Sequence, residues 1–465
     1  MHFPRVMIAA PRSGSGKTLI TCLVLKSLLR EKLRISSFKC GPDYIDPMFH
    51  KRVLGIPSKN LDTFFTDVKK TRKLFMENAS KSDISVIEGA MGLYDGIGGT
   101  SEKASAYDVA RALHCPIIMV CDVKGMGGMS LTAQIRGFLD YDRDRLISAI
   151  ILNGINIGSY EHVSKHIERE LNIPVIGYIP FNKDLKFDSR HLGLIMPDEI
   201  NNLNVTLELA AARFRQTVDF TKILEIADTA DDVEWETLRH RISQEPPVNI
   251  AIAADEVFRF YYEDNLDILR DFGANLIPFS PVHDAKLPDD VHGILLYGGY
   301  PEIYAKELSE NVSMRQSILD AINSGMPSIA ECGGFMYLGS SIEAQDGNTY
   351  PMVGAVNTKF YNSGKLVRFG YMSVTEKSTS FLGNGKAIRG HEFHYYTCNE
   401  NGEDCIAYKP IRGKTWDCVY VGDNNWWGWP HLYYSSCATY ADNFIRKCKR
   451  HAAGGAQFAE RKQIL

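Results

Sequence analysis

The chain has no cysteine cluster. Ten cysteines are scattered through 465 residues and no two form a CxxC pair. That spacing argues against a disulfide framework and a thiolate zinc site, and for reduced thiols in a cytoplasmic setting. No apolar run reaches the ~18 residues that a membrane span needs, so no membrane contact is expected. The N-terminal stretch lacks the basic leader, apolar core and cleavage site of a signal peptide. No charge of one sign dominates either. Lys and Arg number 52 against 56 Asp and Glu, a formal net charge of -4. This excludes the basic footprint of a nucleic-acid binder and the acidic tail of a disordered chain. Internal repeats and low-complexity segments are also missing. What remains is an ordinary globular composition, 45% hydrophobic, long enough for two or three domains.

Short β-rich runs alternate with helical stretches through the first half. Strands are expected at 6–9, 34–39, 84–87, 117–120, 149–152 and 175–178, with helices between them, such as 19–30 and 104–113. This rhythm predicts a mostly parallel sheet covered on both faces. An acidic stretch containing Asp228, Asp231, Asp232, Glu234 and Glu236 leads to Glu245-Pro246-Pro247. It reads as a helical linker ending at a boundary, because two prolines stop a helix. A second α/β rhythm follows at 248–253, 275–279, 293–297 and 328–330. The expected division is a first domain over 1–220, a linker over 221–246, a second domain over 247–450 and a frayed polar tail over 451–465.

The run Ala10-Pro11-Arg12-Ser13-Gly14-Ser15-Gly16-Lys17-Thr18 follows the first strand and opens a helix. A strand, a Gly-rich loop and Lys-Thr at a helix start make a P-loop. Backbone N–H groups at Gly14, Ser15 and Gly16 would surround phosphate oxygens. Lys17 would reach the terminal phosphates of ATP, and Thr18 would ligate Mg²⁺. Pro11 stands where a first glycine is usual, and a plain Gly-rich turn is the competing reading. Carboxylates follow the next strands, Asp43 and Asp46 in Gly41-Pro42-Asp43-Tyr44-Ile45-Asp46-Pro47, and Glu88 at the end of the third strand. Ligands of open α/β sheets lie beyond the strands' carboxyl ends. Glu88 is therefore the first metal candidate, followed by Asp43 and Asp46, which could instead simply shape a turn. Asp95 reads as a turn residue.

The second half carries Ser328-Ile329-Ala330-Glu331-Cys332-Gly333-Gly334, a strand entering a tight turn before a helix. Such an elbow lifts a nucleophile above the sheet edge and sets N–H groups for an oxyanion. A helix N-terminus also favours thiolate. The loop Tyr297-Gly298-Gly299-Tyr300-Pro301-Glu302 is a candidate for a second oxyanion donor. His431 is the preferred base, with His391 and His394 as rivals. The bland alternatives are a buried apolar cysteine and structural histidines.

These motifs resemble the cobyrinic acid a,c-diamide synthases of corrin biosynthesis. The resemblance runs from Val6 to about Cys448. It rests on SGSGKT, GPDYIDP at 41–47, EGAMGLYDG at 88–96, SRHLGL at 189–194, FYYEDNLDILRDFGA at 260–274, GGYPEIYAKELSEN at 298–311, ECGGFMYL at 331–338 and RGHEFHYY at 389–396. It implies an α/β protein: a P-loop parallel-sheet domain of the dethiobiotin-synthetase type joined to a class I glutamine amidotransferase domain. It also implies ATP and Mg²⁺ as cofactors, glutamine and a corrinoid as small-molecule partners, and a homodimer as a possible assembly. By motif, Cys332 is the glutaminase nucleophile and His431 its activator, Lys17 and Thr18 serve ATP and Mg²⁺, and Lys39 meets phosphate or a substrate carboxylate. Tyr433 stands where class I enzymes often carry the third triad carboxylate, which leaves that role open. Another tetrapyrrole, such as hydrogenobyrinate or nickel sirohydrochlorin, is an alternative substrate. A partitioning-type regulatory ATPase is the alternative of another class, since Arg12 stands where those ATPases carry a second lysine.

Overall fold

A computed structural model describes residues 2–180, 197–234 and 245–463. The SRHLGL segment at 189–194 lies outside the described residues. The chain divides into two compact units, Met1–Leu238 and Arg239–Leu465.

In the first unit, β1 (Arg5–Ala9), β2 (Ile35–Cys40), β3 (Ser58–Leu61), β4 (Ile84–Glu88), β5 (Ile117–Asp122), β6 (Ile147–Ile155) and β7 (Val175–Pro180) form one sheet. Their order is β3-β2-β4-β1-β5-β6-β7 and every pairing is parallel. Both faces are apolar, as expected of a parallel sheet covered by helices. Along β1, Val6 and Ile8 enter one core while Met7 and Ala9 enter the other. Helix α1 (Lys17–Arg30) packs Ile20, Leu23 and Val24 into the first of these cores. Ser58–Leu61 was not expected as a strand because its SKNL sequence is polar. Its Asn60 is buried and donates to the carbonyls of Gly41 and Asp43 at 2.9 and 2.7 Å, which tethers the GPD turn.

The acidic stretch expected to begin a linker instead starts within a packed helix, Phe220–Asp228. Asp219 caps it through Lys222 N, and Phe220, Ile223, Ile226 and Ala227 are buried against the sheet. Charges on its outer face hid an apolar stripe with helical spacing. Arg5, fully buried, ties the chain beyond this helix to the sheet. Its guanidinium donates to the carbonyls of Leu113, His114 and Asp231.

The second unit is built around a six-stranded sheet. Its order is Ala274–Phe279, Val248–Ala253, Ile294–Leu296, Ser328–Glu331, Asn425–Gly428 and Tyr420–Val421, parallel except at the last pair. A five-stranded antiparallel sheet carries Arg368–Glu376, Ala387–His394 and His431–Leu432. The closing helix runs Ala438–Gln463, so the stretch from 451, expected as a frayed tail, continues a helix. Tyr440, Phe444 and Cys448 anchor that helix in the core.

Arg5→Ala should destabilise the chain by about 2–4 kcal/mol, because it strands buried carbonyls and leaves a void. Thermal melting of the two proteins tests this, and an unchanged melting temperature would refute the anchoring role.

Candidate functional sites

The phosphate loop leaves β1 between the ends of β4 and β5. Gly14 and Gly16 adopt positive φ values of 78° and 92°, where a side chain would strain the loop. A Cβ on Gly16 would also collide with the amide of Asn153, which donates to Ser15 O at 2.9 Å. Ser15 donates to Arg12 O at 3.0 Å. Lys17 donates to the carbonyls of Arg12 and Met91 at 3.2 and 2.6 Å. Burial, and then the nearby Lys39, lower the Lys17 pKa to about 8. Arg12 pairs with Asp122, the last residue of β5, at 3.1 Å.

Parallel pairing sets Lys39 beside Glu88 and Glu88 beside Ile8. The result is a buried polar cluster directly behind α1. Thr18 Oγ1 donates to Glu88 Oε1 at 2.6 Å, and Lys39 Nζ donates to the same oxygen at 2.8 Å. Lys39 also binds Asp46 and lies 3.8 Å from Asp43 Oδ2. Burial opposes charge on Lys39, but Asp46, Glu88 and Asp43 outweigh it and hold the ammonium well above its usual range. Burial pulls Asp46 the other way, but Lys39 prevails and depresses its carboxyl. Glu88 rises to about 8 through burial and then the neighbouring Asp46. Asp43 rises to about 6 for the same two reasons, while its Oδ1 accepts from Ile45 N and shapes the turn. Asp95 stands apart and accepts from Gly92 N, a turn role.

Among the described residues, no three of His, Cys, Asp or Glu are arranged as a ready-made metal cage. Mg²⁺ does not require one. It is commonly held by one or two protein oxygens, with phosphate oxygens and waters completing the shell. The Thr18–Glu88 pair fits that demand, and Glu88 Oε2 is buried without a hydrogen-bond partner. Sequence reasoning missed Asn153, Asp122 and His50. His50 lies four residues after Asp46 on α2 (Ile45–Leu54), a spacing that puts both on one helix face.

In the second unit, Cys332 takes φ 49° and ψ -106° between strand Ser328–Glu331 and helix Gly333–Leu338. A non-glycine residue held at positive φ is a strained point of the kind found at nucleophile elbows. The turn tolerates no side chain at its glycines. A Cβ on Gly333 would lie 2.8 Å from Gly299 N, and one on Gly334 would strike Leu296 O. The neighbouring Gly298 packs against the ring of His431. The Gly298–Gly299 pair therefore touches both the cysteine turn and the histidine. His431 stacks parallel to His391 with centroids 5.0 Å apart, directly across the strand pairing. His391 Nδ1 meets Tyr262 OH at 3.1 Å. His394 stacks on Trp429 and its Nδ1 lies 2.6 Å from Tyr396 O. Burial pushes the His431 pKa well down, and the other two histidines add to this.

The surroundings of the thiol work against the thiolate, contrary to the helix N-terminus expectation. Burial raises the Cys332 pKa, Glu302 adds to it, and the Gly333 N–H only partly offsets them. Glu331 is buried beneath the elbow and accepts from Leu432 N at 3.4 Å, linking the cysteine strand to the histidine strand.

A P-loop at the switch point of a parallel sheet and a cysteine elbow on a second sheet define a nucleotide-binding domain joined to a glutamine amidotransferase domain. Residues 6–195 match the CobQ/CobB/MinD/ParA nucleotide binding domain, and residues 249–433 match the CobB/CobQ-like glutamine amidotransferase domain. The cobyrinate a,c-diamide synthase of Caldanaerobacter subterraneus subsp. tengcongensis is 38% identical over 449 residues, 95% of this chain and 98% of that protein. Those of Listeria innocua serovar 6a and Picrophilus torridus are 37% and 38% identical, covering 92% and 96% of this chain and 96% and 99% of theirs. The chain belongs to the cobyrinate a,c-diamide synthase family. Among the described residues no helix is long and apolar enough to cross a membrane.

Glu302→Gln should lower the Cys332 pKa, because it removes a carboxylate that opposes the thiolate. Alkylation of Cys332 by iodoacetamide at pH 8, followed by peptide mass, should then run faster, with its pH midpoint moved down. An unchanged or slower rate would refute the coupling.

Proposed function

We propose that the protein is an ATP- and glutamine-dependent ligase that converts the a and c carboxylates of cobyrinate to amides, in cobalamin biosynthesis. The observation that carries this is one chain holding a P-loop backed by the Thr18–Glu88–Lys39 cluster and a strained cysteine elbow whose neighbouring Gly298–Gly299 pair also packs against His431. The near-complete coverage of relatives bearing that name supports the same substrate.

A carboxylate resists ammonia because it is anionic and has no good leaving group. Phosphorylation solves both problems. Gly14, Ser15 and Gly16 would cradle the phosphates of ATP through backbone N–H groups, and Lys17 would leave its two carbonyl partners to neutralise charge on the transferring phosphoryl group. Thr18 and Glu88 are the residues that would hold Mg²⁺, which when bound neutralises phosphate charge. Asp43 and Asp46 keep Lys39 charged beside that site, so that Lys39 can face phosphate or the substrate carboxylate. The substrate carboxylate attacks the γ-phosphorus of ATP, giving an acyl phosphate and ADP.

Cys332 supplies the nitrogen. Its sulfur attacks the side-chain amide carbon of glutamine while His431 takes the thiol proton, and the oxyanion faces N–H groups at the elbow and the Gly298–Gly299 loop. The proton passes to the departing nitrogen, ammonia leaves, and water clears the glutamyl thioester to glutamate. Ammonia then displaces phosphate from the acyl phosphate. Two such cycles give the diamide. Burial keeps the His431 imidazole neutral, the form a proton acceptor needs, and Glu331 beneath the elbow holds the strand that carries it. The reading extends to a cytoplasmic enzyme acting on small molecules.

Cys332→Ser should lose glutamine-dependent amidation and keep amidation from concentrated ammonia, read by product mass with cobyrinate, ATP and Mg²⁺. Retained use of glutamine would overturn the nucleophile assignment. Lys17→Ala should lower amidation from either nitrogen source by ~100-fold or more, as loss of a charge-stabilising donor does. Wild-type rates with ammonia would remove the P-loop from the chemistry.

A further inference from the structure

His50 is fully buried on α2, yet the phosphate-site chemistry above gives it no task. One side of its ring is occupied. Nδ1 lies 2.8 Å from Ser37 Oγ on β2 and 3.4 Å from Ser58 Oγ on β3. The other side is aimed at Glu88. His50 Nε2 and Glu88 Oε2 stand 3.7 Å apart, and each is a buried polar atom without a hydrogen-bond partner. Two unpaired buried polar atoms facing each other are unusual in a packed interior, where nearly all such groups are paired.

We propose that His50 is a positioning residue for Glu88: its Nε2–H takes Glu88 Oε2 in a hydrogen bond when a divalent cation and nucleotide bind, and so turns Oε1 toward the cation beside Thr18. The inference rests on the reading of Glu88 as a cation ligand. Ser37 Oγ can donate to Nδ1, the tautomer that leaves the ring hydrogen on Nε2. A ligating carboxylate is deprotonated and only accepts, so the partner across the 3.7 Å gap must donate. A shift of less than an ångström closes that gap to hydrogen-bond length. Partners of this kind fix ligand orientation at metal sites, and their loss costs ~10–100-fold in metal affinity.

The test uses the full-length protein with a non-hydrolysable ATP analogue and Mn²⁺ as the probe, titrated by electron paramagnetic resonance. Metal-free analogue binding is measured beside it by calorimetry. His50→Ala should weaken Mn²⁺ by ~10-fold or more with little change in metal-free analogue affinity. His50→Gln, whose amide nitrogen can reach the place of Nε2, should keep Mn²⁺ affinity within ~3-fold of wild type. His50→Asn, whose amide reaches only the Nδ1 position, should lose it as Ala does, and it stands in if the Ala variant does not fold. Wild-type Mn²⁺ affinity in the Asn or Ala variant, with Glu88→Gln weakened, overturns the role of His50 alone. Wild-type affinity in Glu88→Gln overturns the reading of Glu88 as a ligand and this proposal with it.

Discussion

Lys39 is buried near the carboxyl end of β2, and its ammonium is shared between Asp46 and Glu88. The architecture behind the phosphate loop depends on this contact. A lysine buried there without carboxylates would lose its charge, and Asp46 without the lysine would take up a proton. Together those two stay charged, while Glu88, buried beside Asp46, is pushed up to about 8. The consequence spreads outward through Glu88, whose Oε1 also receives the hydroxyl of Thr18 at the start of α1. Removing one partner of such a set leaves an uncompensated buried charge, a far larger cost than that of an exposed pair.

The second unit solves a different problem. Its reactive atom must be positioned without being permanently activated. The elbow places Cys332 by backbone strain and by glycines that let the Gly298–Gly299 loop lie against it. Its electrostatic setting works against the thiolate, with Glu302, Glu392 and Glu331 all raising the thiol pKa beyond what burial does. Position is built in, whereas charge must come with the substrate.

Much of this was legible in the residues. The P-loop, the strand-ending Glu88 and the elbow each follow from a local rule in which spacing dictates geometry, and the strands around them alternate as parallel sheets require. The missed parts have physical reasons. Ser58–Leu61 reads as polar because Asn60 bonds the GPD turn and Ser58 meets His50, leaving Leu61 to enter the core. The Phe220–Asp228 helix showed its charges more plainly than its apolar stripe. His50 and Asn153 act through contacts between distant strands, which no window of sequence contains. The strand Asn425–Gly428 pairs in parallel with the cysteine strand and is apolar on both faces: Trp426 enters one core and Trp427 the other, where Trp427 donates to Ser328 Oγ at 3.0 Å.

The raised thiol pKa also bears on how this protein ages in a cell. Peroxides attack thiolates far faster than thiols, and the first product, a sulfenic acid, leads on to irreversible acids. An exposed, pre-ionised nucleophile would be spent by oxidants between turnovers. Here Cys332 is buried, and its setting disfavours the thiolate. The burial and acidic neighbours that disfavour the thiolate therefore also work against its oxidation.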